Sequence, residues 1–394
     1  MRDVIVVGGG PVGILLACLL AERGLDVEVF ERRTEPSMLS RAIGIHPPSM
    51  GVLRQAGVSE EVLARAVRIE TGSVQSGGHT LGRLSFAQTT GRFPFVVALP
   101  QHETEAVLRA RFRRLRPHGL RSGVGVGMLH DRGGHVDVSA EPGLVAATGG
   151  DASGPEGGTA PPVLGSARYV VVADGAHGRL RDAVGIASRP LGGGDTYLMA
   201  DYPDAGEHGA EAVLFFERGG VVESFPLPDG RRRWVALTST LMTDASIDDL
   251  SALVRERTGV LLPFSDAAPA SFSVRQRLAS TMVQGRMVLV GDAAHEISPI
   301  GGQGMNLGWL DAVALAPALA HALAQPTEAG VTLAGYDRRR RRSARMAARQ
   351  AGFNMAMGRP ARGLRLRLRN GAVRLLAQPP LNGLLARAFT MRWL

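Results

Sequence analysis

Asp3-Val-Ile-Val-Val-Gly8-Gly9-Gly10-Pro11-Val12-Gly13 opens the chain and decides its fold. Four β-branched residues in a row, with no polar alternation, suit a strand covered on both faces, as in a parallel sheet clothed by helices. The glycines that follow satisfy G-x-G-x-x-G. Gly8 makes the tight turn out of the strand, Gly10 lets the backbone approach a pyrophosphate, and Gly13 lets a helix pack closely on the sheet. Pro11 and Val12 start that helix, whose free N–H groups meet phosphate charge. The apolar helix ends at Gly24, and a second strand, Val27-Glu-Val-Phe-Glu31, follows. Glu31 closes it 23 residues after Gly8, where a carboxylate accepts hydrogen bonds from a ribose diol. An acid at that place disfavours a 2′-phosphate, so the ligand is FAD or NAD rather than NADP. Arg32, the next residue, is a further candidate contact.

The same grammar returns twice, in Tyr169-Val-Val-Val-Ala-Asp174-Gly175 and Met287-Val-Leu-Val-Gly291-Asp292. These runs imply one parallel sheet assembled from distant pieces of chain, with ligands gathered at the carboxyl ends of its strands. Between them, Ile69–Val97 and Thr196–Leu237 show antiparallel texture with turns such as Pro228-Asp-Gly-Arg231. The fold expected is α/β: a Rossmann-like nucleotide-binding domain (residues 1–68, 98–185 and 270–335), an inserted antiparallel sheet (69–97 and 186–269) that holds substrate, and a basic helical segment (336–394). Residues 147–162, rich in Gly, Ala, Ser and Pro, form a loop.

A length of 394 residues suits one large domain with a smaller companion, and 45% hydrophobic with 21% charged residues excludes a disordered or fibrous chain. The longest strongly apolar run, Gly13 to Ala21, falls short of the roughly 20 residues that cross a bilayer. Met1-Arg2-Asp3 runs straight into a strand without a signal-peptide layout, and a lone Cys18 leaves no disulfide framework or cysteine metal site. The setting expected is a reducing cytoplasm. The net charge of +9 is confined to the C-terminus: fifteen arginines and no acid follow residue 337, so the remainder sums to −6. Phe353, Phe389 and Trp393 are too scattered for a nucleic-acid module. The basic helices are expected to be solvated or acid-paired, with contact to a membrane surface as the second reading.

The motif Gly291-Asp-Ala-Ala-His-Glu-Ile-Ser-Pro-Ile-Gly-Gly-Gln-Gly-Met-Asn306 decides between FAD and NAD. Asp292 at a strand end suits the hydroxyls of a ribityl chain. Gly301, Gly302 and Gly304 strip the loop of side chains so that its amides can face a flat ring, and Met305 and Asn306 lead into a helix. The positive end of that helix stabilises the negative charge of reduced flavin. NAD has neither a ribityl chain nor such a ring. His295 and Glu296 do not fall in a metal-ligand pattern, and no metal is expected.

On these motifs the chain resembles the single-component FAD-dependent aromatic hydroxylases of the para-hydroxybenzoate hydroxylase fold, from Asp3 to about Tyr336. The resemblance implies an enzyme that uses NAD(P)H and O2 to hydroxylate a small aromatic molecule through a flavin C4a-hydroperoxide. It places Arg41, in Ser40-Arg41-Ala42-Ile43-Gly44, beside the flavin, and Gln101 at the ribityl or phosphate region. The candidate catalytic residues are Arg41, His46, His295 and Pro299. Which group would activate a phenol as general base is left open. Tyr197, Phe215, Phe216, Phe225 and Trp234 are candidates to line the substrate site on the inserted sheet. The chain departs from the family at Gly178, where a serine is usual, and at Arg339 and Arg342, where a glutamate and a proline are usual. Its length leaves no room for the thioredoxin-like domain that many polyketide-modifying relatives carry. The arginine- and alanine-rich, lysine-free composition suggests a GC-rich genome and secondary metabolism. Three alternatives compete: a reductase or epoxidase acting on an isoprenoid or quinone lipid at a membrane surface, a halogenase, which would need a lysine, and a protein that only sequesters flavin or drug.

Overall fold

The three quoted runs lie side by side. In the computed structural model, which describes residues 1–37, 42–87, 91–141, 161–298, 302–379 and 381–392, Arg2–Val7 sits parallel to Val163–Val172, with Val4 level with Tyr169. Met287–Leu289 flanks the latter strand, with Val170 level with Met287. Val27–Glu31 and Leu120–Ser122 continue the parallel order on the other side. Arg41, Pro299, Gly301, Trp393 and nearly all of the 147–162 loop lie outside the described residues.

Helix Pro11–Ala21 explains how tightly this sheet is covered. Every residue from Gly13 to Leu20 is buried, the mark of a helix surrounded on all sides. It packs on Arg2–Val7, Val27–Glu31, Gln101–Leu115 and Gln303–Ala324. Helix Gln303–Ala324 is 22 residues long with a hydropathy of 1.5, long and apolar enough to span a membrane, contrary to the expectation that no segment reaches that length. Most of its apolar stretch is instead buried, against Pro11–Ala21 and the long helix Ala329–Gly358.

The second sheet has eight strands, in the order His295–Glu296, Ala270–Ala279, Ser188–Pro203, Arg231–Thr238, Gly220–Leu227, Ala212–Glu217, Thr71–Ser76 and His79–Ser85. Ala270–Ala279 thus pairs with Ser188–Pro203 in this sheet, although its position in the sequence suggested the nucleotide-binding part. Strand alternation sorts the sheet's side chains into two faces. Leu198, Tyr202, Val213, Phe215 and Trp234 form one apolar layer beneath helix Ile247–Thr258. Tyr197, Met199, Val221, Val235 and Leu237 form the other, joined by Met355 of Ala329–Gly358. Phe215 and Trp234, stacked at 5.9 Å, are therefore core beneath that helix rather than cavity lining.

The basic C-terminal segment forms part of the architecture. Arg340 pairs with buried Asp311 at 2.6 Å, and Arg359 with Asp195 at 3.2 Å. Buried Arg369, on helix Gly363–Leu376, donates to the carbonyls of Met357, Arg359, Phe216 and Glu217 and so fastens that helix to the sheet. Helix Leu381–Phe389 completes the layer.

Candidate active site

The glycine turn has the geometry its sequence demands. Gly8 adopts φ +113°, and a Cβ there would lie 2.2 Å from the carbonyl oxygen of Ala173. At Gly13 a Cβ would lie 2.0 Å from Gly8 O, so only glycine lets the helix start against the strand end. Trp309 seals the turn from behind, its indole N–H donating to Pro11 O at 3.0 Å. At Gly10, by contrast, a Cβ would meet nothing within 4 Å. The turn thus opens onto free space at the residue that should face a pyrophosphate.

Charged groups surround this opening. Glu31 accepts from Gly9 N–H at 2.7 Å and from Arg33 N–H at 2.9 Å, which fixes its carboxylate against the turn. Arg32 is exposed beside it. Buried Arg109 donates from Nη2 to Gly9 O at 2.7 Å, while its Nε has no partner among the described residues. The sequence reading missed Arg109, though a signal existed: Gln101, Glu105 and Arg109 recur every four residues and share one face of helix Gln101–Leu115. Gln101 donates to Glu105 at 2.8 Å, and its own N–H holds Ala42 O. Burial raises the Glu105 carboxyl above its ordinary range.

Asp174 and Asp292 end their strands as expected. Burial raises the Asp174 carboxyl despite the N–H of Leu180, and its Oδ1 is buried without a partner among the described residues. Gly178 now has a reason: a Cβ there would lie 2.0 Å from Asp174 Cγ. Asp292 is exposed, and its Oδ1 would lie 3.9 Å from a Cβ on Gly304 at the start of helix Gln303–Ala324. Gly291 and Gly308 are packed against Val12, which joins the second motif to the first. Met305 is buried.

Asn306 and His46 clamp the flavin-loop side. Asn306 Oδ1 accepts from His46 N–H at 2.8 Å, and its Nδ2 donates to Gly44 O at 2.8 Å and Gly302 O at 2.6 Å. All three side-chain bonds go to backbone, so the Asn306 amide positions the loop. A Cβ on Gly302, at φ +67°, would sit 3.7 Å from His46 Nε2. His295 differs from expectation. Its Nε2 meets Asp311 Oδ2 at 2.5 Å inside a buried cluster completed by Arg340, and Asp311 also accepts from Gly291 N–H at 3.2 Å. A catalytic role gives way to a structural one. Burial would raise the Asp311 carboxyl, but the charges of His295 and Arg340 and their hydrogen bonds outweigh it and hold the group below the usual carboxylate range.

A cavity of about 110 Å³ lies between the second sheet and the C-terminal helices, on the order of ten times the space one water needs. Tyr197, Phe216 and Phe225, three of the expected lining residues, face it. Its roof is Phe353, Asn354 and Met357 of Ala329–Gly358, Val373 and Leu376 of Gly363–Leu376, and Phe389. Phe225, Phe86 and Phe389 share an apolar cluster with Val96 and Ala98. Ala98 pairs with Gly44, whose Cα lies 3.5 Å from where a Gly302 Cβ would be. Two short strands, Val96–Ala98 and Gly44–Ile45, therefore lie between that apolar cluster and Gly302 at the start of helix Gln303–Ala324.

Comparison with known proteins matches residues 1–351 to the family model described as FAD binding domain. The chain belongs to that family. Its cofactor is FAD, and the open space at Gly10 with Arg109 Nε and Asp174 Oδ1, which have no partner among the described residues, fits an extended polar ligand lying there. Among relatives in sequence, a 12-dehydrotetracycline 5-monooxygenase/anhydrotetracycline 6-monooxygenase of Streptomyces rimosus is 31% identical over 79% of this chain and 61% of its own length. A pentachlorophenol 4-monooxygenase of Sphingobium chlorophenolicum is 29% identical over 78% of this chain and 56% of its own. The chain thus spans about three fifths of these relatives. Among solved structures, a p-nitrophenol 4-monooxygenase of Pseudomonas putida superposes with a TM-score of 0.83 at 24% identity, covering 99% of this chain and 98% of that one, which shows the fold. An anhydrotetracycline hydroxylase of Streptomyces rimosus gives 0.75 at 28% identity, covering 99% and 76%. The FAD binding domain family thus accounts for the α/β architecture expected from the glycine motifs.

Proposed function

We propose that this chain is an FAD-dependent monooxygenase that uses NAD(P)H and O2 to hydroxylate a small aromatic molecule. The observation that carries the proposal is the aromatic-walled cavity two short strands away from Gly302 at the start of the flavin-loop helix. The names of the relatives support it. The Gly8–Gly13 turn with Arg109 would hold the FAD pyrophosphate, Glu31 the ribose, and Gln101, Asp174 and Asp292 the hydroxyls of the chain that leads to the ring. Bound FAD supplies the two-electron chemistry between NAD(P)H and O2.

The protein's own contribution is placement, exclusion of water and fixed charge. The start of helix Gln303–Ala324 directs free N–H groups and its positive end at the loop, where they favour negative charge on the ligand. Asn306 holds Gly302 against Gly44, so the cradle does not have to reorganise during reaction. Phe216, Phe225, Phe86 and Phe389 remove water from the cavity and leave a flat apolar slot.

The test is direct. Purified protein should be yellow, and aromatic ligands should accelerate its NAD(P)H oxidation with one atom of labelled O2 entering the product. Asp292→Ala should lower FAD content. Protein that takes up no FAD, or that consumes no O2 with any member of a phenol panel, overturns the reading.

A further inference from the structure

The cavity contains one charged side chain, and nothing among the described residues neutralises it. Glu223, 4% exposed on strand Gly220–Leu227, faces the cavity and makes no hydrogen bond or ion pair among the described residues. The charged groups nearest on the same side are committed elsewhere. Arg233, two residues along the adjoining strand, binds Asp201 through Nε and Nη2 at 2.6 and 2.9 Å, and Arg359 binds Asp195. Glu217, on the neighbouring strand, accepts from Gly77 N–H, and Arg369 is spent on backbone carbonyls. That adjoining strand places Val235 opposite Glu223, and the roof contributes Asn354 and apolar side chains. Tyr197 is the one titratable neighbour on the cavity side, and its hydroxyl is itself pushed up, by burial first and by Glu223 among other charges.

A buried carboxylate without a partner is costly, and such groups are retained where a ligand completes them. An amphiphile with a flat apolar body and one acidic hydroxyl fits both the aromatic walls and the lone carboxylate. We propose that Glu223 is the residue that receives the phenolic hydroxyl of the substrate and takes its proton. This rests on the monooxygenase reading above and adds the base that the family motifs leave unassigned. The O–H bond of the phenol breaks as its proton passes to a carboxylate oxygen of Glu223. The electron pair stays on the phenolic oxygen and enriches the ring at its ortho and para carbons, where the oxygen atom from O2 is added. NAD(P)H supplies the two electrons, and solvent the protons, that reduce the second oxygen atom to water. The C–H bond at the hydroxylated carbon then breaks and its proton leaves to solvent, while the proton on Glu223 returns to the phenolic oxygen as the ring regains aromaticity. Desolvation pushes the Glu223 carboxyl up to about 7, which suits a base that works near neutrality.

The experiment uses FAD-loaded wild type and Glu223→Gln, titrated at pH 7 with 4-nitrophenol and with its methyl ether, 4-nitroanisole. Bound to wild type, nitrophenol should show the phenolate absorption; bound to Glu223→Gln it should remain neutral and bind at least about tenfold more weakly, since tenfold corresponds to one good hydrogen bond to a charged group. The ether should bind both proteins alike. Identical spectra and affinities, no saturable binding of nitrophenol, or a preference for benzylamine over phenol each overturn the proposal. Wild type alone gives a second reading: its preference for unsubstituted phenol over anisole should grow as pH rises through about 7 and Glu223 ionises, and a flat ratio refutes it. Binding needs no turnover. Absence of flavin or of O2 consumption therefore counts against the monooxygenase reading, and the spectra count for or against Glu223.

Discussion

Replacing Asp311 with asparagine tests whether the flavin loop is anchored by a buried charge. Asp311 is fully buried and is the counter-charge of Arg340, itself 6% exposed, while also accepting from His295 and from the N–H of Gly291. The amide keeps the volume and removes the charge, so a guanidinium is left in the core without its carboxylate. Breaking a buried pair from one side costs about 3–5 kcal/mol. At about 2.1 cal/mol/K of unfolding entropy per residue, a chain of this length loses roughly 1 °C of melting temperature per kcal/mol, so Asp311→Asn should melt about 4–6 °C lower. Arg340→Met in the same background should restore part of the loss, because one interaction cannot be removed twice, and the coupling should reach about 1–3 kcal/mol. Acid titration adds a sign. The folded carboxyl lies below its unfolded value, so its stabilisation is complete above about pH 4 and vanishes as pH falls through the folded value. The variant should therefore lose less stability than wild type on acidification. Calorimetry of both proteins decides: a melting shift under about 1 °C, or strictly additive single and double variants, would refute the anchoring role.

Three further outcomes can be checked with simple assays. Arg109→Met should raise the FAD dissociation constant about 10- to 100-fold, the loss of one or two charge-assisted bonds, as read by the fluorescence of released FAD; unchanged affinity would remove Arg109 from the site. Gly13→Ala forces a Cβ to 2.0 Å from a backbone oxygen and should yield flavin-free or insoluble protein, whereas Gly51→Ala, where a Cβ meets nothing within 4 Å, should behave as wild type. Cys18, wholly buried with its thiol pushed up to about 12 by desolvation, should ignore thiol reagents at pH 8 until the protein is unfolded, and rapid labelling of native protein would contradict its burial.

Local grammar carried a large part of the structure. The runs at Val4, Val170 and Val288 are neighbours in one sheet because residues apolar on every side have few other places to go. The glycine motifs were legible because positive φ and backbone close approach leave few alternatives to glycine. Tertiary choices were less so. Phe215 and Phe216 are adjacent and chemically alike, and alternation guarantees that they face opposite ways, but only the position of helix Ile247–Thr258 says which is core. Arg109 sits among Arg111, Arg113 and Arg114, so composition hides the one member turned toward Gly9. Glu223 was visible as a lone acid in an apolar strand, but its burial depends on a roof made 130 residues later in the chain. His295 read as catalytic because it falls inside a cofactor motif; its partner Asp311, and the Arg340 that pairs with Asp311, come from two helices further along.

The roof has an evolutionary corollary. Phe353, Asn354, Met357, Val373, Leu376 and Phe389 all come after residue 351, where the match to the shared family ends. The cradle and the floor of the cavity fall within the matched family domain, and the ceiling lies in the C-terminal helices beyond it, which solved structures also share, since one superposes over 99% of this chain. On the proposed monooxygenase reading, exchanging these helices between relatives would reshape the ceiling while leaving the FAD cradle untouched.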